Sequence, residues 1–222
     1  APNDLYLRWG AFGMLTSHTR SHGAPPTEPW GYDDETMNVF RKTTEMRYQL
    51  MPYIYAQAKH CTETGLPMLR ALFIEFPDDP GSWMVDDQYM FGSDIMVAPL
   101  FDESRERDIY LPPGEWIDYQ RGESYKGGWH TLKAGDVPVI MLVREGSVIP
   151  HIELAQSTMD MDWSELDLKV YAKDQENADG MVCLPSDNTL HTIELNKQEE
   201  DFNLAEDPLN GSVDWNIVDF RE

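Results

Sequence analysis

DLYLRWGAFGMLTSHTRSHGAPPTEPWGY, residues 4–32, reads as an amphipathic helix, an Arg/His cluster and a loop rich in proline and aromatic residues. Asp4 stands where an N-cap carboxylate would accept from first-turn N–H groups, which predicts a helix from Asp4 to about Thr16. His18, Arg20 and His22 follow closely. Such a cluster supplies donors and acceptors suited to gripping hydroxyls or a carboxylate. The loop then runs to Tyr32.

Downstream, Asp33 and Asp34 precede a long periodic segment whose apolar side is Met37, Phe40, Tyr48, Met51, Ile54, Tyr55 and Ala58. Gly65 is its stop, and Pro52 should kink or split it by removing an intrahelical donor. The apolar run 66–76 suits a strand buried on both faces. Arg70 within that run needs a partner, and Glu75 could provide one only across a bend. Residues 77–81 form a turn, and 86–92 read as a short helical turn ended by Gly92. Beyond Asp94 the signals become strands: 95–98, 107–111, then the Pro112-Pro113-Gly114 turn and 115–119. Segments 137–144 and 147–150 flank Glu145-Gly146 as a hairpin, and 166–172, 180–184 and 189–195 alternate. Short strands with turns at this spacing predict a β-sandwich. From Lys197 the chain is acidic, with periodicity only over 213–218.

Composition bounds the function. Hydrophobic residues make up 41 % of the 222, and seven are tryptophan, which argues for packed cores rather than disorder. The net charge of −23 is concentrated in residues 101–222, where 27 acidic side chains face 10 basic ones. Such a surface repels phosphate backbones and argues against nucleic acid. No apolar run is long enough to span a bilayer, so no membrane partner is expected. Cys61 and Cys183 form neither a disulfide framework nor a CxxC site; two reduced thiols are favoured, with a single bridge as the alternative. The opening Ala1-Pro2 fits a cut inside a longer protein, or a processed terminus. No cofactor is expected, the cytoplasm is the favoured compartment, and no oligomeric state is assigned.

Leu5, Tyr6, Arg8, Trp9, Gly13, Arg20, His22 and Gly23 resemble the motif that follows the seventh barrel strand in glycoside hydrolase family 31, the retaining α-glycosidases. Residues 47–55 are similar to that family's helix before the last barrel strand, and 65–80 to that strand and its exit loop. Segments 86–100 and 110–119 are similar to the crossing into the sandwich and its second strand pair. The resemblance implies α/β plus all-β architecture: the C-terminal part of a (β/α)8 TIM barrel over 1–93, a proximal sandwich over 94–165, and the sandwich end or a partial distal β domain over 166–222. It implies an α-glucoside or α-xyloside as the carbohydrate substrate, and the N-terminal part of the same protein as partner. A transglycosylase of the family, or a non-catalytic carbohydrate-binding or interaction module, are the alternatives.

Retaining chemistry needs two carboxyl groups roughly 5–5.5 Å apart. Glu75 and the doublets Asp33/Asp34, Asp78/Asp79 and Asp86/Asp87 are the candidates, but the doublets sit at expected caps and turns. The resemblance places both catalytic aspartates upstream, so no catalytic residue is expected in this chain. His22 is read as a sugar-binding imidazole, against the simpler reading of a histidine satisfying a loop carbonyl. Trp30 is either a wall of the sugar cleft or a loop anchor, and Arg20 is read as supporting loop geometry. His18 and His22 have metal-ligand spacing, but no third ligand joins them, so no metal is expected.

Overall fold

The computed structural model describes residues 1–23 and 28–220. It begins with α1 (Asn3–Met14), a short 3-10 turn (Pro29–Gly31), α2 (Asp34–Gln49) and α3 (Met51–Thr64). Asp33 caps α2 by accepting from the Thr36 N–H at 2.8 Å. Leu50 is the hinge between α2 and α3, with Pro52 in the first turn of α3, where its missing donor costs nothing. Gly65 ends α3 at φ 78°, a left-handed conformation that penalises any Cβ. Asp4, read as a cap, is instead inside the first turn of α1. Pro2 occupies the cap position, and Asp4 pairs with Arg8 one turn on, at 2.8 Å.

The run 66–76 is not one buried strand. Only β1 (Leu69–Ala71) is extended, and the chain then makes a single helical turn, α4 (Leu72–Glu75), which leaves Phe73 and Ile74 exposed. That turn is the bend by which Glu75 reaches back to the buried Arg70, at 2.6 Å. A 3-10 turn (Pro80–Met84) follows, capped by Asp79, while 86–92 is not helical but leads into β2 (Tyr89–Phe91). Asp86 and Asp87 therefore cap nothing, and Asp87 pairs with Arg107.

The remaining strands are β3 (Ile95–Pro99), β4 (Glu106–Asp118), β5 (Ser124–Lys133), β6 (Val139–Arg144), β7 (Ser147–His151), β8 (Glu165–Tyr171), β9 (Asn177–Cys183), β10 (Leu190–Gln198), β11 (Asp201–Leu204) and β12 (Asp214–Asp219). Among the described residues they form two six-stranded sheets, ordered β1-β2-β3-β6-β4-β5 and β11-β10-β9-β7-β8-β12. The second sheet curls until its outer strands β11 and β12 touch. Pro112-Pro113-Gly114 does not end a strand; it is an irregularity within β4, where the register with β5 shifts between Leu111 and Glu115. The Glu145-Gly146 hairpin is also corrected. β6 pairs with β3 and β4, whereas β7 pairs with β8 and β9, so this turn carries the chain from one sheet to the other.

Three cores result. Ala11, Leu15, Met46, Leu50 and Tyr53 of the helical layer pack on Ile95, Val97, Val139 and Met141 of the first sheet, with Ile149 and Tyr171 joining from the second. The other face of the first sheet encloses Met90, Met96, Ile109, Trp116 and Leu142. The second sheet encloses Val148, Leu168, Val170, Val182 and Ile193, with Tyr48 and Met51 packed against it. Each such side chain contributes roughly 1.5–3 kcal/mol on burial, so the helical layer is bonded to both sheets.

A polar junction lies beside the crossing turn. Asp94 accepts from Ser147 Oγ and Gln57 Nε2, both at 3.3 Å, and Glu75 joins Arg70 to Arg144. Burial raises the Asp94 carboxyl to about 6, with Asp179 and Glu75 adding to the effect and Arg144 and Ser147 opposing it. An unfolded Asp titrates near about 3.9, so the native chain keeps a proton that the unfolded chain releases between roughly pH 4 and 6. This group therefore costs stability progressively as pH rises through that window. Asp94→Asn should match the parent near pH 4 and exceed it by about 3 kcal/mol at pH 7.5, measured by urea unfolding. A gap independent of pH would contradict this.

Candidate active-site loop

The loop after α1 is clamped at both ends. At its start Leu15 is fully buried and its carbonyl accepts from Tyr89 Oη at 2.9 Å. The Thr16 hydroxyl lies 2.7 Å from the carbonyl oxygens of both Gly13 and His18. Arg47 of α2 donates to the carbonyls of Met14, Thr16 and Ser17. Burial lowers the pKa of its guanidinium. At the far end, buried Tyr6 stacks on Tyr32 at 4.1 Å and on Phe40 at 5.4 Å, and Asn3 donates to Asp33. Residues 24–27 of the loop lie outside the described residues.

Between the clamps, His18, Arg20 and His22 are exposed. The side chains of Arg20 and His22 have no hydrogen-bond partner among the described residues, so His22 does not satisfy a described loop carbonyl. His18 Nδ1 meets Ser17 Oγ at 3.0 Å. His18 and Arg20 line a cavity of about 420 Å³ with Trp9, Phe12, Thr16 and Phe40, while His22 and Trp30 lie outside that lining. Trp30 is 75 % exposed on its 3-10 turn. Of its two readings, the anchoring role falls instead to Tyr32, whose ring stacks on Tyr6.

Arg47 is the positioning residue that sequence reading did not single out. The signal available was an arginine in the last turn of α2, on the side that carries Phe40, Thr43 and Thr44, which needs acceptors where it is buried. Among the described residues, no group of three His, Cys, Asp or Glu side chains is placed to hold a metal ion. Cys61 and Cys183 are free thiols.

The carboxylates have structural engagements. Asp33 is held below its usual range by hydrogen bonds from Thr36. Burial acts upward on Asp79, but hydrogen bonds from Ser82, Tyr110 and Gly81 prevail and lower it. Glu75 is shared by two arginines, and Asp87 is paired with one. Asp78 and Asp86 are exposed.

Two family descriptions match the chain: the glycosyl hydrolases family 31 TIM-barrel domain over residues 1–57, and the glycosyl hydrolase family 31 C-terminal domain over 65–149. The α-xylosidase XylQ of Lactiplantibacillus pentosus is 36 % identical over 81 % of this chain and 24 % of its own length. Alpha-glucosidase 2 of Bacillus thermoamyloliquefaciens is 32 % identical over 70 % of this chain and 20 % of its own. The chain thus spans about a quarter or less of these relatives. Among solved structures, the Flavobacterium johnsoniae GH31 dextranase complexed with glucose superposes with a TM-score of 0.82 and 28 % identity. That match covers 91 % of this chain and 27 % of the dextranase. The helix-loop motif of α1, the two sheets and these matches agree: the chain belongs to glycoside hydrolase family 31.

Proposed function

We propose that the whole protein is a retaining α-glycosidase acting on α-linked xylosides or glucosides. In this reading residues 1–93 supply the closing part of its barrel while lending β1 and β2 to the first sheet, and the expected division of the β part at 165/166 moves to the Glu145-Gly146 turn, where the chain passes from the first sheet to the second. His22 bonds sugar hydroxyls, Trp30 offers an apolar face to the ring, and Arg20, whose guanidinium has no described partner within the chain, pins a carboxylate of the remaining barrel. The observation that carries the reading is the loop itself: both ends are held by buried or half-buried groups, while the imidazole of His22 has no described partner. A residue presented this way on a rigid frame suits recognition of a polar ligand. The relatives' names supply the substrate class, and the α-xylosidase has the higher identity of the two relatives compared.

The nucleophile and the acid/base belong, in this proposal, to barrel sequence outside this chain. The support is that Asp33, Asp79, Glu75 and Asp87 are engaged in caps and ion pairs. One sugar-binding histidine supplies neither role. The 222-residue chain alone should therefore show no turnover of aryl α-xylosides or α-glucosides. The whole protein should hydrolyse them, releasing the α-anomer first, as followed by proton NMR. Turnover by the purified chain above contaminant level would put a catalytic pair within it, and a β-anomer first would exclude retention.

A further inference from the structure

One face of β8 carries polar side chains over open space. Asp167 stands opposite His151 of β7 and Asn216 of β12, so the three share one face of the second sheet. Glu165, opposite Asp214, and Lys169 occupy the adjoining rows of that face. They line a cavity of about 640 Å³ together with Gln49 of α2 and the exposed Leu154. His151 is engaged within the fold. It is 2 % exposed, its Nδ1 lies 2.9 Å from the Ile149 carbonyl oxygen, and its Nε2 lies 2.8 Å from Tyr119 Oη. Burial lowers its pKa to about 3 and Lys169 acts in the same direction, so the ring is neutral at pH 7. The other groups keep bonding capacity. Asp167 uses Oδ1 on the Asn216 amide, at 2.8 Å, while its Oδ2 accepts from nothing among the described residues. Lys169 is half-buried, yet its ammonium has neither an ion pair nor a hydrogen bond among the described residues. Such a cation has given up part of its hydration without gaining an acceptor.

We propose that this cavity binds a neutral sugar, with Lys169 donating to one hydroxyl and Asp167 and Glu165 accepting from its neighbours. A hydroxyl both donates and accepts, so adjacent hydroxyls of one ring match an ammonium and carboxylates held in adjoining rows. Rows on one strand face stand about 6.5 Å apart and neighbouring strands about 4.8 Å, spacings that a single pyranose ring can bridge. The volume also lies in the range of roughly 300–1,000 Å³ found for small-molecule sites. Charge separates this ligand from other polar ones. Glu153, Glu165, Asp167 and Asp214 outnumber Lys169 in the lining, which opposes an anion. No group of three His, Cys, Asp or Glu among the described residues is placed to hold a metal ion. That the sugar is a xylosyl or glucosyl unit of an oligosaccharide rests on the functional reading above.

The test is fluorine NMR on the whole protein, with p-trifluoromethylphenylalanine in place of Leu154, a lining side chain that is 43 % exposed. The probe is a thio-linked disaccharide of α-xylose on glucose, which resists hydrolysis, with glucuronate as the anionic comparison. The signal should shift and saturate with the disaccharide and respond less to glucuronate. Lys169→Met should weaken the response about tenfold or more, as expected when a charged donor is lost. A signal that never moves, that responds better to glucuronate, or that saturates equally in a folded Lys169→Met protein would overturn the proposal. Glu165→Ala, an exposed change, carries the same test should Lys169→Met fail to fold: binding should weaken about threefold or more, and unchanged binding would overturn the proposal. Aryl-glycosidase activity is read on the same fluorine-labelled proteins. Activity without a saturating shift would sink this proposal and leave the functional one standing. A shift lost with Lys169→Met, in a protein without activity, would do the reverse.

Discussion

His22→Ala in the whole protein should, on the proposed glycosidase function, lower kcat/KM by about ten- to a thousand-fold, which corresponds to roughly 1.4–4 kcal/mol of transition-state binding. The imidazole is exposed and has no partner among the described residues, so its removal breaks no contact that holds them together. Its effect must then come from substrate. Two readouts separate this from a structural role: steady-state kinetics on aryl α-xyloside and α-glucoside, and a melting curve. The melting temperature should move by no more than a degree or two, because exposed substitutions seldom exceed about 0.5 kcal/mol. Unchanged kinetics with a markedly lower melting temperature would make His22 a structural residue.

Gly180→Ala should be the most damaging single methyl in the second sheet. A Cβ there would sit 2.2 Å from the Val148 carbonyl oxygen and 3.0 Å from the Val148 Cβ. The obstacle is backbone of β7, which pairs with β8 and cannot give way without parting β7 from β9. Overpacking costs about 1–3 kcal/mol even where side chains can shift, so about 3 kcal/mol or more is expected here. For a chain of this size that is a fall of roughly 6–12 °C in melting temperature. Gly31→Ala, with nothing within 4 Å of its added Cβ, is the control and should shift it by a degree or two at most. Similar small shifts for both variants would mean that β7 and β9 do not approach as closely as described.

Much of the helical layer was legible because it depends on local chemistry. Asp33 as a cap, Pro52 as a break and Gly65 as a stop each follow from one residue's donors, acceptors or φ preference. The strands over 166–195 were legible for a similar reason, since one of their faces is buried and alternates. What local chemistry could not supply was partnership. Glu145-Gly146 has hairpin composition, yet the strands it joins belong to different sheets, a choice made by packing on Tyr53, Ile149 and Tyr171. β5 went unread because much of its face is exposed and it carries Gly127 and Gly128. Its pairing depends on β4 continuing through two prolines. Leu72–Glu75 reads as strand by hydrophobicity, and it is helical because the buried Arg70 requires Glu75 within reach. In the candidate site the exposed cluster was legible from residue type. The clamp by Arg47 was not, since its acceptors are carbonyls thirty or more positions away.

The parallel pairing of β8 with β12 has a consequence for how the chain acquires this shape. Asn216 meets Asp167 across 49 positions, and the strands run together from Asp214↔Glu165 to Asp219↔Val170. At about 5–20 residues per second of synthesis, β8 waits several seconds for that neighbour after it has left the ribosome. During the wait β7 can cover only one of its edges, while Leu166, Leu168 and Val170 lack the Trp215 and Ile217 that later pack beside them. Long-range pairing of this sort slows folding, because loop closure must be met before any contact rewards it. Between the emergence of β8 and that of β12 the nascent chain thus carries one open strand edge beside apolar side chains that are not yet covered, the condition that favours aggregation.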